Sequence, residues 1–176
     1  QPTGPLVPPT PGRGFNTPIY QSVHKGELFS TGNTNLKIAN ENTAAAQTFL
    51  NTRGASSGYA INNFPLEFAD VDNDPNTYNS SRAYIDLNGA KEIAWAGLFW
   101  SASRYKGPAY GTNLSDEEIS APVQFTTPNG TVHRVSPQRY HRIDQDATNP
   151  GQRFGYNNTG FSNYADVTSI LQGDKS

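Results

Sequence analysis

The stretch KEIAWAGLFWSAS, residues 91–103, decides how the chain is read. In an extended backbone Ile93, Trp95, Gly97 and Phe99 point one way, and Ala94, Ala96, Leu98 and Trp100 point the other. Both faces are then apolar, the pattern of a central strand covered on both sides. The two tryptophans accordingly read as core rather than as a sugar platform. Gly97 leaves room for another backbone to come close.

The sequence on either side has the same character. APVQFTTP (121–128), GTVHRVS (130–136), QRYHRID (138–144), QRFGYNN (152–158) and GFSNYADV (160–167) are short runs of β-branched and aromatic residues. Asn129-Gly130 between the first two is a hairpin-turn signal. Two or three further short strands are expected within residues 19–38, which Lys25-Gly26 and Gly32-Asn33 interrupt. NENTAAAQTFLNTRG (40–54) is the helix candidate, with Asn42 or Thr43 as cap and Gly54 as stop. SDEE (115–118) reads as a helix start, and Asp166 as the cap of one turn before Gly173. About ten strands with little helix predict an all-β protein, a β-sandwich or jelly roll with one short helix and long loops. Residues 1–18 hold six prolines and three glycines and read as an extended arm or linker, leaving 19–176 as a single β-sandwich domain.

Composition narrows the function classes. Charged residues are 16 % of the 176, the net charge is −2, and acidic and basic residues are mixed along the chain. That is no footprint for nucleic acid. No apolar run approaches the roughly 20 residues that would insert across a bilayer. With no cysteine there is neither a disulfide framework nor a thiol nucleophile. An aromatic content of 11 % on an Asn/Thr-rich, weakly charged background suits an exported bacterial surface domain that folds without redox help.

One stretch comes close to metal chemistry. In ADVDNDPNTYNSSRAYIDL (69–87) an extended backbone would project Asp70, Asp72 and Asp74 to one side. Carboxylates at that spacing suit Ca²⁺, with Asn73, Asn76, Asn79 and backbone carbonyls as further oxygens. Pro75 and Ser81 stand where an EF-hand needs its glycine and glutamate, which excludes that motif. The other reading is a polar turn in which Asp and Asn bond their own backbone ahead of Pro75.

No catalytic signature stands out. His24, His133 and His141 share no metal-ligand spacing, and neither GxSxG nor a phosphate loop is present. HRVSPQRYHRID (133–144) clusters basic residues on what read as two neighbouring strands, with Arg139 and His141 on one face and Tyr140 and Arg142 on the other. Arg139, His141 and Arg142 are candidate ligand contacts for an anionic sugar or a peptide carboxylate, since arginine forks match carboxylates. The plain alternative is an exposed sheet face balanced by acidic loops. Lys37 and Lys91 are the only lysines near apolar strand positions that an internal isopeptide bond could use, and no Asn partner with an acidic catalyst is evident.

GELFSTGNT (26–34), the 69–87 segment, AKEIAWAGLFWSAS (90–103) and FSNYADVTSIL (161–171) occur in the order of a family pattern. Together they resemble the N-terminal head domain of cell-wall-anchored surface proteins of Gram-positive bacteria. That pattern runs from a TGNT turn through D-V-D-x-D-P-x-T-x-N-S-S and W-A-G-L-[YF]-W to A-D-V-T. The resemblance implies an extracellular, cell-surface β-sandwich that serves adhesion or surface assembly and is followed by β-sandwich repeats. It implies no catalytic residues. Such heads add strands after A-D-V-T, whereas this sequence ends at Ser176, so the resemblance implies a domain cut short at its C-terminal side. The expected function is a non-enzymatic adhesin head, calcium-stabilised through Asp70, Asp72 and Asp74. Its partners would be a host or neighbouring-cell glycan or protein. The alternatives are a structural subunit of a surface fibre, contacting other copies of itself, and a carbohydrate-binding module.

Overall fold

The computed structural model describes residues 18–55, 58, 60–87, 89–105, 114–143 and 158–174. Strands in small antiparallel sheets dominate, with few helices. The proline-rich arm, apart from Pro18, and QRFGYNN, apart from Asn158, lie outside the described residues. The rest forms two compact units. One spans residues 24–89, and the other joins the residues up to Val23 with those from Ala90 onward.

In the 24–89 unit a two-stranded sheet pairs β1 (Leu36–Ile38) with β2 (Leu66–Phe68), Leu36 facing Phe68 and Ile38 facing Leu66. Lys37 and Glu67 sit opposite each other on the alternate face, 3.2 Å apart. Both side chains are half exposed, so this ion pair contributes between about 0 and 1 kcal/mol. β1 is the one strand formed by residues 19–38, where two or three were expected. The run is too interrupted to find partners, and Val23 and Leu28 stand exposed.

The helix α1 (Ala44–Asn51) starts where Thr43 Oγ1 accepts the Ala46 N–H and buries Ala46 completely. Its end is a Schellman turn, in which Gly54 N–H reaches Phe49 O and Arg53 N–H reaches Leu50 O. The left-handed position just after the cap belongs to Arg53 (φ 51°), one residue ahead of the glycine expected to stop the helix. Phe49 packs on Phe64, with ring centroids 5.3 Å apart.

The second unit is built on β3 (Gly97–Tyr105). Two short helices, α2 (Asp116–Ile119) and α3 (Thr168–Asp174), accompany the remaining strands β4 (Val123–Thr126), β5 (Val132–Val135), β6 (Arg139–Ile143) and β7 (Asn158–Asp166). A three-stranded antiparallel sheet has the order β3-β7-β6, and β4-β5 form a separate hairpin. That hairpin closes with Gly130 N–H on Thr127 O and Thr127 N–H on Thr131 O, Gly130 taking φ 86°. It is a three-residue loop ending in a left-handed glycine: Pro128 has the fixed negative φ of a type I turn's first central position, and a two-residue Asn-Gly turn would need from residue 128 the N–H that proline lacks. α2 begins where a helix start was expected, with a capping box between Ser115 and Glu118.

β3 differs from its sequence reading in two respects. Regular pairing starts at Gly97 rather than at Lys91, because the preceding residues are held by other partners. Ala96 N–H donates to Thr168 Oγ1, Ala96 O accepts the Val167 N–H, and Ile93 O accepts from Gln172 Nε2. Among the described residues, β3 is also an edge strand, and the centre of the sheet is β7.

Both faces of β3 are nevertheless covered in part by apolar side chains. On one, Ala96, Leu98 and Trp100 join Val135, Ala165 and Val167 in the core, with Val123, Phe125, Ile170 and Leu171 around them. On the other, Tyr20 stacks on Trp95 at 5.2 Å, and Trp95 stacks on Tyr164 at 6.3 Å. A buried amide ties the sheet to α2. Asn163, 1 % exposed at the middle of β7, donates through Nδ2 to Ile119 O at 2.7 Å, while its Oδ1 has no hydrogen-bond partner. Ile119, fully buried, is fixed by that bond.

Gly97 is needed for a reason other than backbone approach. A Cβ there would lie 2.6 Å from the Trp95 ring and 3.0 Å from Phe99. The ring is rigid and already stacked with Tyr20 and Tyr164. Gly97→Ala is therefore expected to destabilise the protein by about 1–3 kcal/mol and to weaken the near-UV circular dichroism of the aromatic stack. Denaturant melts and near-UV spectra check both, and an unchanged melt would mean that the stack yields freely.

Candidate functional site

The aspartate segment does not lie extended. Asn73 adopts φ 55°, and each carboxylate turns onto its own loop. Asp70 Oδ1 accepts the Asn73 N–H at 2.9 Å, and Asp72 Oδ1 accepts the Asp74 N–H at 3.3 Å. Asp74 Oδ1 takes both the N–H and the side-chain amide of Asn76. These are the short-range bonds by which Asp and Asn compete with regular backbone pairing.

Ser80 closes the loop. Its Oγ accepts the N–H groups of Val71 and Asp72 and lies 2.8 Å from Asp72 Oδ1 and 3.2 Å from Asp70 Oδ1. Its single proton serves one carboxylate at a time. The Ser80 hydroxyl, followed by the Asp74 N–H, holds the Asp72 carboxyl below its ordinary value. Among the described residues, no three His, Asp or Glu side chains gather closely enough to hold a metal ion. Asp70, Asp72 and Asp74 thus share a loop but do not share a row.

The basic cluster is divided by topology. His133 and Arg134 lie on β5, which pairs with β4, whereas Arg139, His141 and Arg142 lie on β6, which pairs with β7. The two strands expected to be neighbours belong to different sheets, separated by Ser136-Pro137-Gln138 with Pro137 fully buried. Within β6 the expected alternation holds at the level of register. Arg139 faces Tyr164, His141 faces Ser162, and Arg142 occupies the alternate position across from Phe161.

Continuing those rows to β3 shows what shares a face with Arg139 and His141. One row is Phe99–Tyr164–Arg139, and the next is Ser101–Ser162–His141. Phe99 leans on Tyr164 at 5.1 Å yet stays 57 % exposed, while Tyr164 beneath it is 7 % exposed. Arg139, His141, Ser101 and Ser162 are all exposed. Burial is the main cause that pushes the Tyr164 hydroxyl up. The Trp95 hydrogen bond opposes it, the Asp166 charge adds to it, and the Arg139 charge opposes it. The Asp166 carboxylate itself accepts the Thr168 N–H at the start of α3. Arg139 makes no ion pair among the described residues.

Phe99, Ser101 and Ser162 escape a reading of the sequence that buries both faces of residues 91–103. The serines SxS (101–103) directly after FW were the available signal that the strand emerges toward solvent. Lys37 is engaged with Glu67, and Lys91 is exposed. Comparison of the chain with protein-family models, with characterised proteins and with solved structures gives no match.

The Ser80 hydroxyl carries a prediction. A carboxyl depressed in the folded state adds stability that is present above the unfolded value, about 3.9, and is lost as pH falls through the folded value. Ser80→Ala removes the largest cause of the depression. It is expected to move the Asp72 titration upward and to shrink the loss of stability on acidification. Carboxyl-carbon NMR titration of both proteins measures the shift, and an unmoved Asp72 would assign the depression to the Asp74 N–H and the other loop hydrogen bonds instead.

Proposed function

We propose that the chain is the head domain of an extracellular bacterial surface protein, non-enzymatic and acting in attachment, with its small sheets belonging to a β-sandwich. The observation that carries this reading is the solvent-facing side of β3-β7-β6. There an exposed aromatic ring, an arginine that makes no ion pair among the described residues and two serine hydroxyls stand together on a hydrogen-bonded sheet. Such a face offers apolar contact, charge and hydrogen bonds from a support that does not have to be ordered on binding. The cysteine-free, Asn/Thr-rich composition and the family-like motifs support an exported, cell-surface location. Among the described residues no helix is long and apolar enough to cross a membrane.

A fibre subunit is the second reading, and a different observation favours it. Beside buried Ile38, Leu36, Leu66 and Phe68 present a partly exposed apolar face on a sheet that among the described residues has only two strands, each with an open edge. Open edges of this kind pair with other chains.

Beads coated with the protein are expected to adhere to host or neighbouring bacterial cells while the protein sediments as a monomer. Concentration-dependent assembly without adhesion would move the assignment to the fibre subunit. Calcium belongs to the proposal as a competitor for the loop of Asp70, Asp72 and Asp74. Binding near 10⁻⁴ M, common for extracellular modules, would at 1 mM add about 1.4 kcal/mol. That is a rise in Tm of roughly 3–6 °C for a chain of this size. Equal melting in calcium and in chelator would leave those carboxylates with the turn alone.

A further inference from the structure

We infer that the outer face of the β3-β7-β6 sheet is a binding site for a glycan bearing a carboxylate, an acidic sugar held between Phe99 and Arg139 over the Ser101–Ser162 pair. The inference rests on the attachment reading above and names the ligand class of that same face.

The argument begins with register. Nine residue pairs lock β3 to β7 and five lock β6 to β7, so the positions of these side chains are fixed by backbone pairing rather than by a loop. Phe99, Tyr164 and Arg139 then form one row, and Ser101, Ser162 and His141 the row beside it, all on the face away from the core of Val135, Ala165 and Val167. Adjacent strands are about 4.8 Å apart. The two rows therefore cover a patch roughly 10 Å wide, the dimension of one or two pyranose rings.

Each element of the patch matches a part of an acidic sugar. Phe99 has one side supported by Tyr164 and more than half of its surface open, which suits the C–H face of a pyranose. Ser101 and Ser162 are directly opposed, exposed and too small to obstruct a ring lying flat, and their hydroxyls can both donate and accept. The Arg139 guanidinium is a planar fork that pairs two-pronged with a carboxylate, and it cannot lose its charge. Charge complementarity selects the acid over a neutral sugar. The nearby negative group, Asp166, is turned to the Thr168 N–H, whereas Arg139 has no ion-pair partner among the described residues. His141, at the end of the serine row, adds a further polar contact.

A peptide ligand fits this arrangement less well. An extended peptide added to a sheet takes its affinity from main-chain bonds along an edge. These side chains stand instead across three strands on a face.

The test uses the 176-residue chain and an array carrying uronic- and sialic-acid glycans, each beside its carboxyl-reduced counterpart, together with peptides ending in a free carboxylate. Carboxylated glycans are expected to bind, to lose at least about tenfold in affinity on carboxyl reduction, and to weaken as salt is raised. Arg139→Gln should lose a similar factor, and Phe99→Ala should weaken binding as well. Arg134→Gln, an exposed arginine on β5 outside this sheet, should bind as the parent does. Thermal melts of every variant establish that each is folded.

Equal binding to acidic and reduced glycans, binding to peptides only, or equal losses in the Arg134 and Arg139 variants would each overturn the inference while leaving attachment standing. Absence of all glycan binding by a folded protein whose coated beads still adhere to cells would overturn the inference alone. Absence of bead adhesion as well would overturn the attachment reading with it.

Discussion

The nine-residue antiparallel ladder between β3 and β7 is the constraint on which the second unit depends. Gly97 faces Asp166 at one end and Tyr105 faces Asn158 at the other, across more than fifty residues of intervening chain. Closing a loop of that length is entropically unfavourable, and it is offset only when many pairs form together. Once the register is set, β6 is placed by its own pairing with β7. The backbone continues the ladder beyond the strand by bonding Val167 to Ala96, which sets α3 at its start. A slip of one residue would carry Leu98 and Trp100 out of the core and bring Phe99 into it.

The two faces of that ladder answer different physical demands. The inner one gathers aliphatic and aromatic side chains from β3, β4, β5, β7 and α3 in a single cluster. At its margin Asn163 gives an otherwise orphaned helix-end carbonyl its donor and leaves its own Oδ1 unsatisfied. An unsatisfied buried acceptor costs about 1–3 kcal/mol, which is tolerable only within a well-packed surround. The outer face is organised by rings. Trp95 stacks with both Tyr20 and Tyr164, whereas Phe99 at the end of the same cluster remains more than half exposed.

Legibility in the sequence follows the range of the interaction. Local chemistry could be read directly. Thr43 as one of two cap candidates, the helix start at 115–118 and the turn at Asn129-Gly130 depend on residues within a few positions of one another. The mostly-β character could also be read, because composition and alternation point the same way. Pairing partners beyond that hairpin could not be read. β5 pairs with β4 through the local hairpin that the sequence signals, but β6, which looks like its neighbour across Pro137, pairs with β7, and β7 in turn with the distant β3. The same limit hid the exposure of Phe99, since an apolar strand at a sheet edge has the pattern of one at its centre. The arrangement of the aspartates differs for another reason. Alternation presumes an extended backbone, and the left-handed Asn73 removes that premise, as it does for Asp70 and Asp74 on either side.

The chain has two tryptophans, and they lie on opposite sides of the same strand region. Trp100, partly buried, packs against the aliphatic side chains of the core, while Trp95, also partly buried, stacks with tyrosines. Their emission is therefore separable. Light from Trp100 follows the integrity of the packed interior, and light from Trp95 is governed by ring-to-ring energy transfer and by whatever settles beside Phe99. Single-tryptophan versions of the protein would carry two built-in optical reporters, one for melting of the interior and one for events at the outer surface, without any attached dye.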